Sequence, residues 1–308
     1  MARIVITEPM DERAVARLRA AHDVFHDPHL VDDAPRLLQL AGGADALIVR
    51  NRTQVRGALL QALARCRVVG RLGVGMDNID MDGCAARGMQ VFPATGANAL
   101  SVAEYVVTAA LLLLRGAYQA SAAVSGGQWP RAALSNGREV AGKTLGLVGF
   151  GSIGQTTARL ARGLGMEVSA FDAMMDEDHP AFAQGGVRCA GLEEVLTTAD
   201  VVSLHVPLLG STRGLLDAAR IAAMKPGAVL VNTARGGIVD ELAVAAALKS
   251  GHLGGAALDV FEAEPQPAAP HFEGCPNLLL TPHVAGVTQE SNDRVSGLIA
   301  DRVLQALR

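Results

Sequence analysis

The chain has 308 residues, 50% of them apolar and 19% charged, with a net charge of −4. That length suits two domains of about 150 residues each, and that composition excludes a largely disordered chain. Mild negative charge and only 3% aromatic residues leave no basic field to gather polyanions and few rings to stack unpaired bases, so no nucleic-acid partner is expected.

The first residues, MARIVITEPMDE, lack the apolar run of about 7–15 residues that marks a secretory signal. The most apolar stretch, Tyr105 to Leu114, is bounded by Glu104 and Arg115 and is much shorter than the roughly 20 residues of a membrane-spanning helix. A cytoplasmic protein with no membrane partner is the expectation. Cys66, Cys84, Cys189 and Cys275 are far apart and form no C-x-x-C. They predict buried thiols in a reducing compartment rather than a disulfide framework or zinc site.

From the N-terminus, β-type runs alternate with helical ones: ARIVITE, DERAVARLRAA, DVFHD and DALIVR. A second alternating series starts after Gly142 with KTLGLVGF, continues through a helix from Ser152 to about Leu164, and includes MEVSAFD, GLEEVLTTA, DVVSLHV, AVLVNT and GGAALDV. The pattern predicts an α/β protein with two doubly wound parallel sheets. Between the series, AEYVVTAALLLLRGA reads as a long helix covered on most sides.

Gly149-Phe150-Gly151-Ser152-Ile153-Gly154 is G-x-G-x-x-G between an apolar strand and a helix. The first glycine permits a tight turn, the second admits a pyrophosphate to the helix N-terminus, and the third allows close helix–strand packing. Asp172 ends the next strand about 20 residues on, where a carboxylate accepts from ribose hydroxyls. No Arg or Lys follows before Arg188, so a 2′-phosphate would meet negative charge, and NAD is the expected cofactor.

Three further segments, VNTARGGIVD, ALDVFEAEP and LLLTPHVAG, follow apolar strands with Arg235, Glu264 and His283. A guanidinium can clamp a carboxylate with two hydrogen bonds, and a histidine beside a carboxylate can move a hydroxyl proton. With NAD, these groups describe oxidation of an alcohol adjacent to a carboxylate. His205 also follows a strand but reads as structural. His22 and His26, if on one strand, stand roughly 13 Å apart, too far to share an ion, so no metal site is expected. Arg50 and Arg52, two apart at a strand end, read as facing one way.

With VGRLGVGMDNID, GFGSIG, HVPLLGSTRGLL, MKPGAVLVNTARGGIVDE, GGAALDVFEAEP and NLLLTPHVAG in this order, the chain resembles the D-isomer-specific 2-hydroxyacid dehydrogenase family, near its phosphoglycerate-dehydrogenase-like branch. The resemblance implies a Rossmann NAD-binding domain, residues 100–285, inserted into a flavodoxin-like substrate domain formed by residues 1–99 and 286–308. It implies His283 as acid/base, Glu264 as its partner and Arg235 as the carboxylate clamp. Arg50, Val74, Gly75 and Asn98 are then substrate-side groups, and Gly149, Gly151, Ser152, Ile153, Gly154, Asp172, Val206, Thr212, Thr233 and Asp259 lie along NAD.

The resemblance also implies a homodimer formed through the nucleotide domains, with a role for the helix around Leu111. Glu264 stands where the formate dehydrogenase branch has glutamine, which disfavours formate. The implied substrate is an anionic 2-hydroxy or 2-oxo acid of D configuration. D-3-phosphoglycerate and (S)-sulfolactate both fit, although Asn51 departs from the V-R-S-x-T pattern of the phosphoglycerate branch. Another 2-hydroxyacid or hydroxypyruvate reductase, or a non-catalytic NAD(H)-sensing interaction protein, is the alternative.

Overall fold

The computed structural model describes all residues, Met1–Arg308, which divide into two compact units: Met1–Asn98 with Val287–Arg308, and Ala99–Gly286. In the first unit, β1 (Arg3–Ile6), β2 (Asp23–His26), β3 (Ala46–Val49), β4 (Val68–Arg71) and β5 (Gln90–Pro93) form a parallel sheet in the order β2-β1-β3-β4-β5. Its central strands are apolar on consecutive residues because both faces are covered. Ile4, Ile6, Ile48 and Val68 pack toward Val295, Ile299 and Val303 of the helix Gln289–Ala306, while Val5, Leu47, Val49 and Val69 pack toward Leu37, Leu59 and Leu63. Gly70 admits that helix closely, since a Cβ there would lie 2.6 Å from Ile299 Cγ2.

The second unit holds β6 (Thr144–Val148), β7 (Glu167–Phe171), β8 (Arg188–Cys189), β9 (Val201–Leu204), β10 (Ala228–Asn232), β11 (Leu253–Leu258) and β12 (Leu278–Leu280). All pair in parallel, in the order β12-β11-β10-β9-β6-β7-β8. The chain direction across the sheet reverses between β6 and β9, the place where doubly wound sheets open a crevice at their carboxyl edge. Gly149 and His205 follow those two strands.

The helix Ala99–Arg115 buries Val102, Val106, Ala109, Ala110 and Leu113 against Ala158 and Ala161 of the helix Ser152–Gly163 and against the sheet. Leu100 and Leu111 remain exposed. No single helix is long and apolar enough to cross a membrane.

Two expectations need correction. Only Cys66 and Cys84 are buried, whereas Cys189 and Cys275 are partly exposed; all four are free thiols. Arg50 and Arg52 do not face one way: Arg50 Nη1 donates to Pro9 O (3.3 Å) and Asn292 Oδ1 (3.2 Å), while Arg52 pairs with Asp32. β3 ends at Val49, so both residues lie in a turn where the strand alternation no longer operates.

Candidate active site

The turn after β6 carries the dinucleotide fingerprint with a distinct job at each glycine. Gly149 has φ +99°, and a Cβ there would stand 2.7 Å from His205 O and 3.1 Å from Val206 Cγ1. Gly154 sits so close to the turn that a Cβ would meet Gly149 O at 2.4 Å. Gly151, by contrast, faces open space and precedes a helix with no side-chain cap. The first N–H groups of that helix, including those of Ser152, Ile153 and Gly154, have no partner within the helix and suit an anion.

Asp172 is held at the end of β7. Its Oδ2 accepts from Phe150 N–H (2.7 Å) and its Oδ1 from Met174 N–H (2.9 Å), which fixes the carboxylate beside the fingerprint and leaves lone pairs for ribose hydroxyls. After β10, the Thr233 hydroxyl oxygen is buried with no partner in the chain, as expected of a group that meets a ligand. Open space at Gly151, the fixed Asp172 and the unpartnered Thr233 fit NAD. The Thr212 hydroxyl donates to Pro207 O (2.6 Å) and accepts from Leu209 N–H (2.7 Å), which shapes the loop after Val206.

The reactive groups of this unit gather on three loops at the carboxyl edge. His283 Nδ1 lies 2.6 Å from Glu264 Oε2, and both side chains are about one-third exposed, at 37% and 33%. Burial pushes the Glu264 carboxyl up, but its hydrogen bonds to His283 and the Phe261 N–H, with the charges of His283 and Arg235, outweigh that and hold it below its ordinary value. The Glu264-bound ring nitrogen is fixed, leaving Nε2 to exchange a proton.

Arg235 is set by its own turn. Asn232 Nδ2 donates to Arg235 O (3.0 Å), and Asn232 Oδ1 accepts from Ala234 N–H (3.0 Å). Asp259, 1% exposed, serves the histidine loop. It accepts from Thr281 Oγ1 (2.6 Å) and from the N–H groups of Val284 and Ala285 (both 2.8 Å), which leaves one acceptor position on Oδ2. His205 bonds Ser203 Oγ through Nε2 at 3.0 Å, and desolvation pushes its pKa down to about 4. It is held within the chain and remains uncharged at neutral pH.

The first unit carries the remaining groups. The carboxylate of Glu8, 2% exposed, accepts from the backbone N–H groups of Arg50 (2.8 Å), Arg52 (3.1 Å) and Thr53 (3.0 Å). Asn78 Nδ2 donates to the carbonyls of Arg50 (3.0 Å) and Thr53 (2.7 Å). Those two side chains fix the turn that bears Arg50. Val74 and Gly75 are in the loop after β4, and Asn98 has a buried, unpartnered Oδ1. Arg71, not singled out in the sequence, curls over the same turn and donates to Leu72 O (3.1 Å); a Cβ on Gly73 would fall 1.5 Å from its Nη1. The closely spaced glycines of GRLGVG, Gly70, Gly73 and Gly75, were the available signal. The histidines near β2 gather no third ligand, and no set of three His, Cys, Asp or Glu side chains is assembled as a metal would need.

Residues 107–285 match the family described as D-isomer specific 2-hydroxyacid dehydrogenase, NAD binding domain. The chain is 52% identical over 307 residues to an (S)-sulfolactate dehydrogenase of Chromohalobacter salexigens, covering 100% of this chain and 99% of that one. It is 42% identical over 261 residues to a D-3-phosphoglycerate dehydrogenase of Bacillus subtilis, covering 85% of this chain and 49% of that protein. The chain thus spans about half the length of that second relative. Among solved structures, the TT0316 protein of Thermus thermophilus superposes with a TM-score of 0.88 at 33% identity, covering 99% of this chain and 96% of the other.

A parallel nucleotide-binding unit, a fitted NAD cradle and a full-length relative define the class as NAD-dependent oxidoreductases of 2-hydroxy acids. The chain belongs to the D-isomer-specific 2-hydroxyacid dehydrogenase family.

Proposed function

We propose that this enzyme interconverts a dianionic D-configured 2-hydroxy acid and its 2-oxo acid, with (S)-sulfolactate as the substrate. The supporting observation for the chemistry is the 2.6 Å His283–Glu264 contact beside the Arg235 charge. Support for the substrate is the 52% identity, end to end, with a relative of that name. (S)-Sulfolactate has the spatial arrangement of D-lactate, because sulfur changes the naming priority and not the geometry.

In the oxidative direction, Arg235 clamps the substrate carboxylate with two parallel hydrogen bonds and holds the C2 hydroxyl toward His283 Nε2. His283 takes the hydroxyl proton as the C–H bond breaks, and Glu264 stabilises the imidazolium that forms. NAD, when bound, accepts the hydride. In reduction His283 returns the proton to the carbonyl oxygen. Val74 and Gly75 supply backbone contacts to the substrate, Asn98 a polar side chain, and Arg50 a cation for the sulfonate. Ser152, Ile153, Val206, Thr212 and Asp259 complete the surroundings of NAD.

The enzyme works in the cytoplasm as a homodimer. Supporting the dimer are exposed apolar side chains in one stretch of the nucleotide unit: Leu111, Tyr118, Val124 and Trp129, the last 77% exposed. Light scattering on the purified protein tests this, and a monomeric mass at micromolar concentration overturns it.

The deciding experiment follows NADH absorbance with both sulfolactate enantiomers, D-3-phosphoglycerate, D- and L-lactate, D-glycerate and D-malate. Selective oxidation of (S)-sulfolactate is expected. Preference for D-3-phosphoglycerate would replace the substrate, a reading that the 42% identity to a D-3-phosphoglycerate dehydrogenase keeps in the panel. NADH binding with no turnover would replace the activity with a sensing role.

A further inference from the structure

His283 has φ +55°, a left-handed backbone that a non-glycine residue holds only when its surroundings enforce it. The enforcement is visible. His283 N–H donates to Asp259 O at 2.8 Å and Thr281 O at 3.0 Å, and the Asp259 carboxylate takes the next two N–H groups, of Val284 and Ala285. Those contacts fix where the imidazole leaves the backbone.

The Asp259 carboxylate is itself oriented by a hydroxyl chain. Tyr105 Oη lies 2.6 Å from Thr281 Oγ1, which lies 2.6 Å from Asp259 Oδ1. Direction follows from donor and acceptor capacity. A carboxylate only accepts, so Thr281 gives its single proton to Asp259 and must accept from Tyr105. The phenol is half-buried, and burial pushes its pKa up, so it keeps the proton this direction requires. Tyr105 lies in the helix Ala99–Arg115, packed on the core of the same unit, which gives the chain a rigid anchor.

We propose that Tyr105 is a positioning residue for His283, acting through Thr281 and Asp259 on the left-handed turn that carries the imidazole. The proposal rests on the acid/base role given to His283 above. A hydroxyl that merely satisfied itself in a half-buried site would contribute to stability and leave turnover untouched. One that orients the catalytic turn instead changes kcat at unchanged substrate affinity.

The test compares Tyr105→Phe, Thr281→Val and Thr281→Ser in the full-length enzyme, with thermal melts to confirm folding. Tyr105→Phe should lower kcat about fivefold, the rate equivalent of one neutral hydrogen bond, with KM for NAD and for the hydroxy acid within about twofold of the parent. Thr281→Val should do the same, the double variant should be no slower than the worse single one, and Thr281→Ser should keep parental kcat because the chain is preserved. Parental kcat in folded Tyr105→Phe, or effects of the two substitutions that simply multiply, overturns the proposal. Should Thr281→Val fail to fold, Tyr105→Phe and Thr281→Ser decide. Normal turnover in His283→Ala would remove the underlying acid/base reading; a dead His283→Ala beside an unaffected Tyr105→Phe would remove the hydroxyl chain alone.

Discussion

Gly236 and Phe261 approach so closely that a Cβ on the glycine would stand 1.7 Å from the Phe261 carbonyl oxygen and 2.5 Å from Glu262 N. The contact presses the turn bearing Arg235 onto the loop bearing Glu264, where the Arg235 charge helps to hold the Glu264 carboxyl low. Backbone packing at a residue with no side chain thereby sets the distance between two functional groups.

Gly236→Ala should therefore do more than destabilise. Overpacking costs about 1–3 kcal/mol, readable as a lower midpoint in urea. Separation of the two loops should also reduce kcat/KM by about tenfold or more, since misplacing reacting groups by an ångström is costly. A variant with the lower midpoint and parental kcat/KM would show that the contact serves the fold alone.

Glu264→Gln removes the charge beside His283 and keeps the size. Loss of the carboxylate that pairs with the imidazole should lower kcat about 10²-fold. In the parent, the Glu264 carboxyl is depressed, so its favourable pairing is present above its ordinary value near 4.5 and disappears as pH falls through the lower folded value. The pH–rate profiles of the two proteins should diverge at neutral pH and converge in acid. Superimposable profiles would remove Glu264 from the mechanism.

The features legible in sequence were those written in neighbouring residues. Gly149, Gly151 and Gly154 act within one turn, and Asp172 lies one strand further on, so local spacing reveals them. The alternation of apolar runs likewise yields both parallel sheets. Long-range obligations were not legible. Glu8 serves the turn at Arg50–Thr53 from the end of another strand, and Asp259 also ties down the loop of Thr281–Ala285. Gly236 looks like any loop glycine until Phe261 is placed against it. The parallel aim expected of Arg50 and Arg52 failed for a local reason, because β3 stops at Val49, just before them.

Asp172→Asn should raise KM for NAD about tenfold and leave kcat within about twofold. A carboxylate that accepts from the ribose would bind cofactor equally before and during the reaction, and uniform binding appears in KM alone. Phe150 N–H and Met174 N–H compete for the remaining acceptor. Fluorescence titration with NADH supplies the independent affinity. An unchanged dissociation constant would place the ribose elsewhere.

His205 makes the stability of the protein depend on pH in a direction that can be worked out. Its folded value of about 4 lies below its ordinary 6.5 because desolvation penalises the charged ring. The unfolded chain therefore binds the extra proton first as pH falls. Stability from this group is intact above about 6.5, declines as pH drops toward 4, and by then has fallen by as much as about 3 kcal/mol. His205→Gln keeps a polar partner for Ser203 without a titrating ring. Its melting temperature should be lower than the parent's at pH 7.5 and change less between pH 6.5 and 4.5. Equal slopes of melting temperature against pH in the two proteins would assign the acid sensitivity to the carboxylates instead.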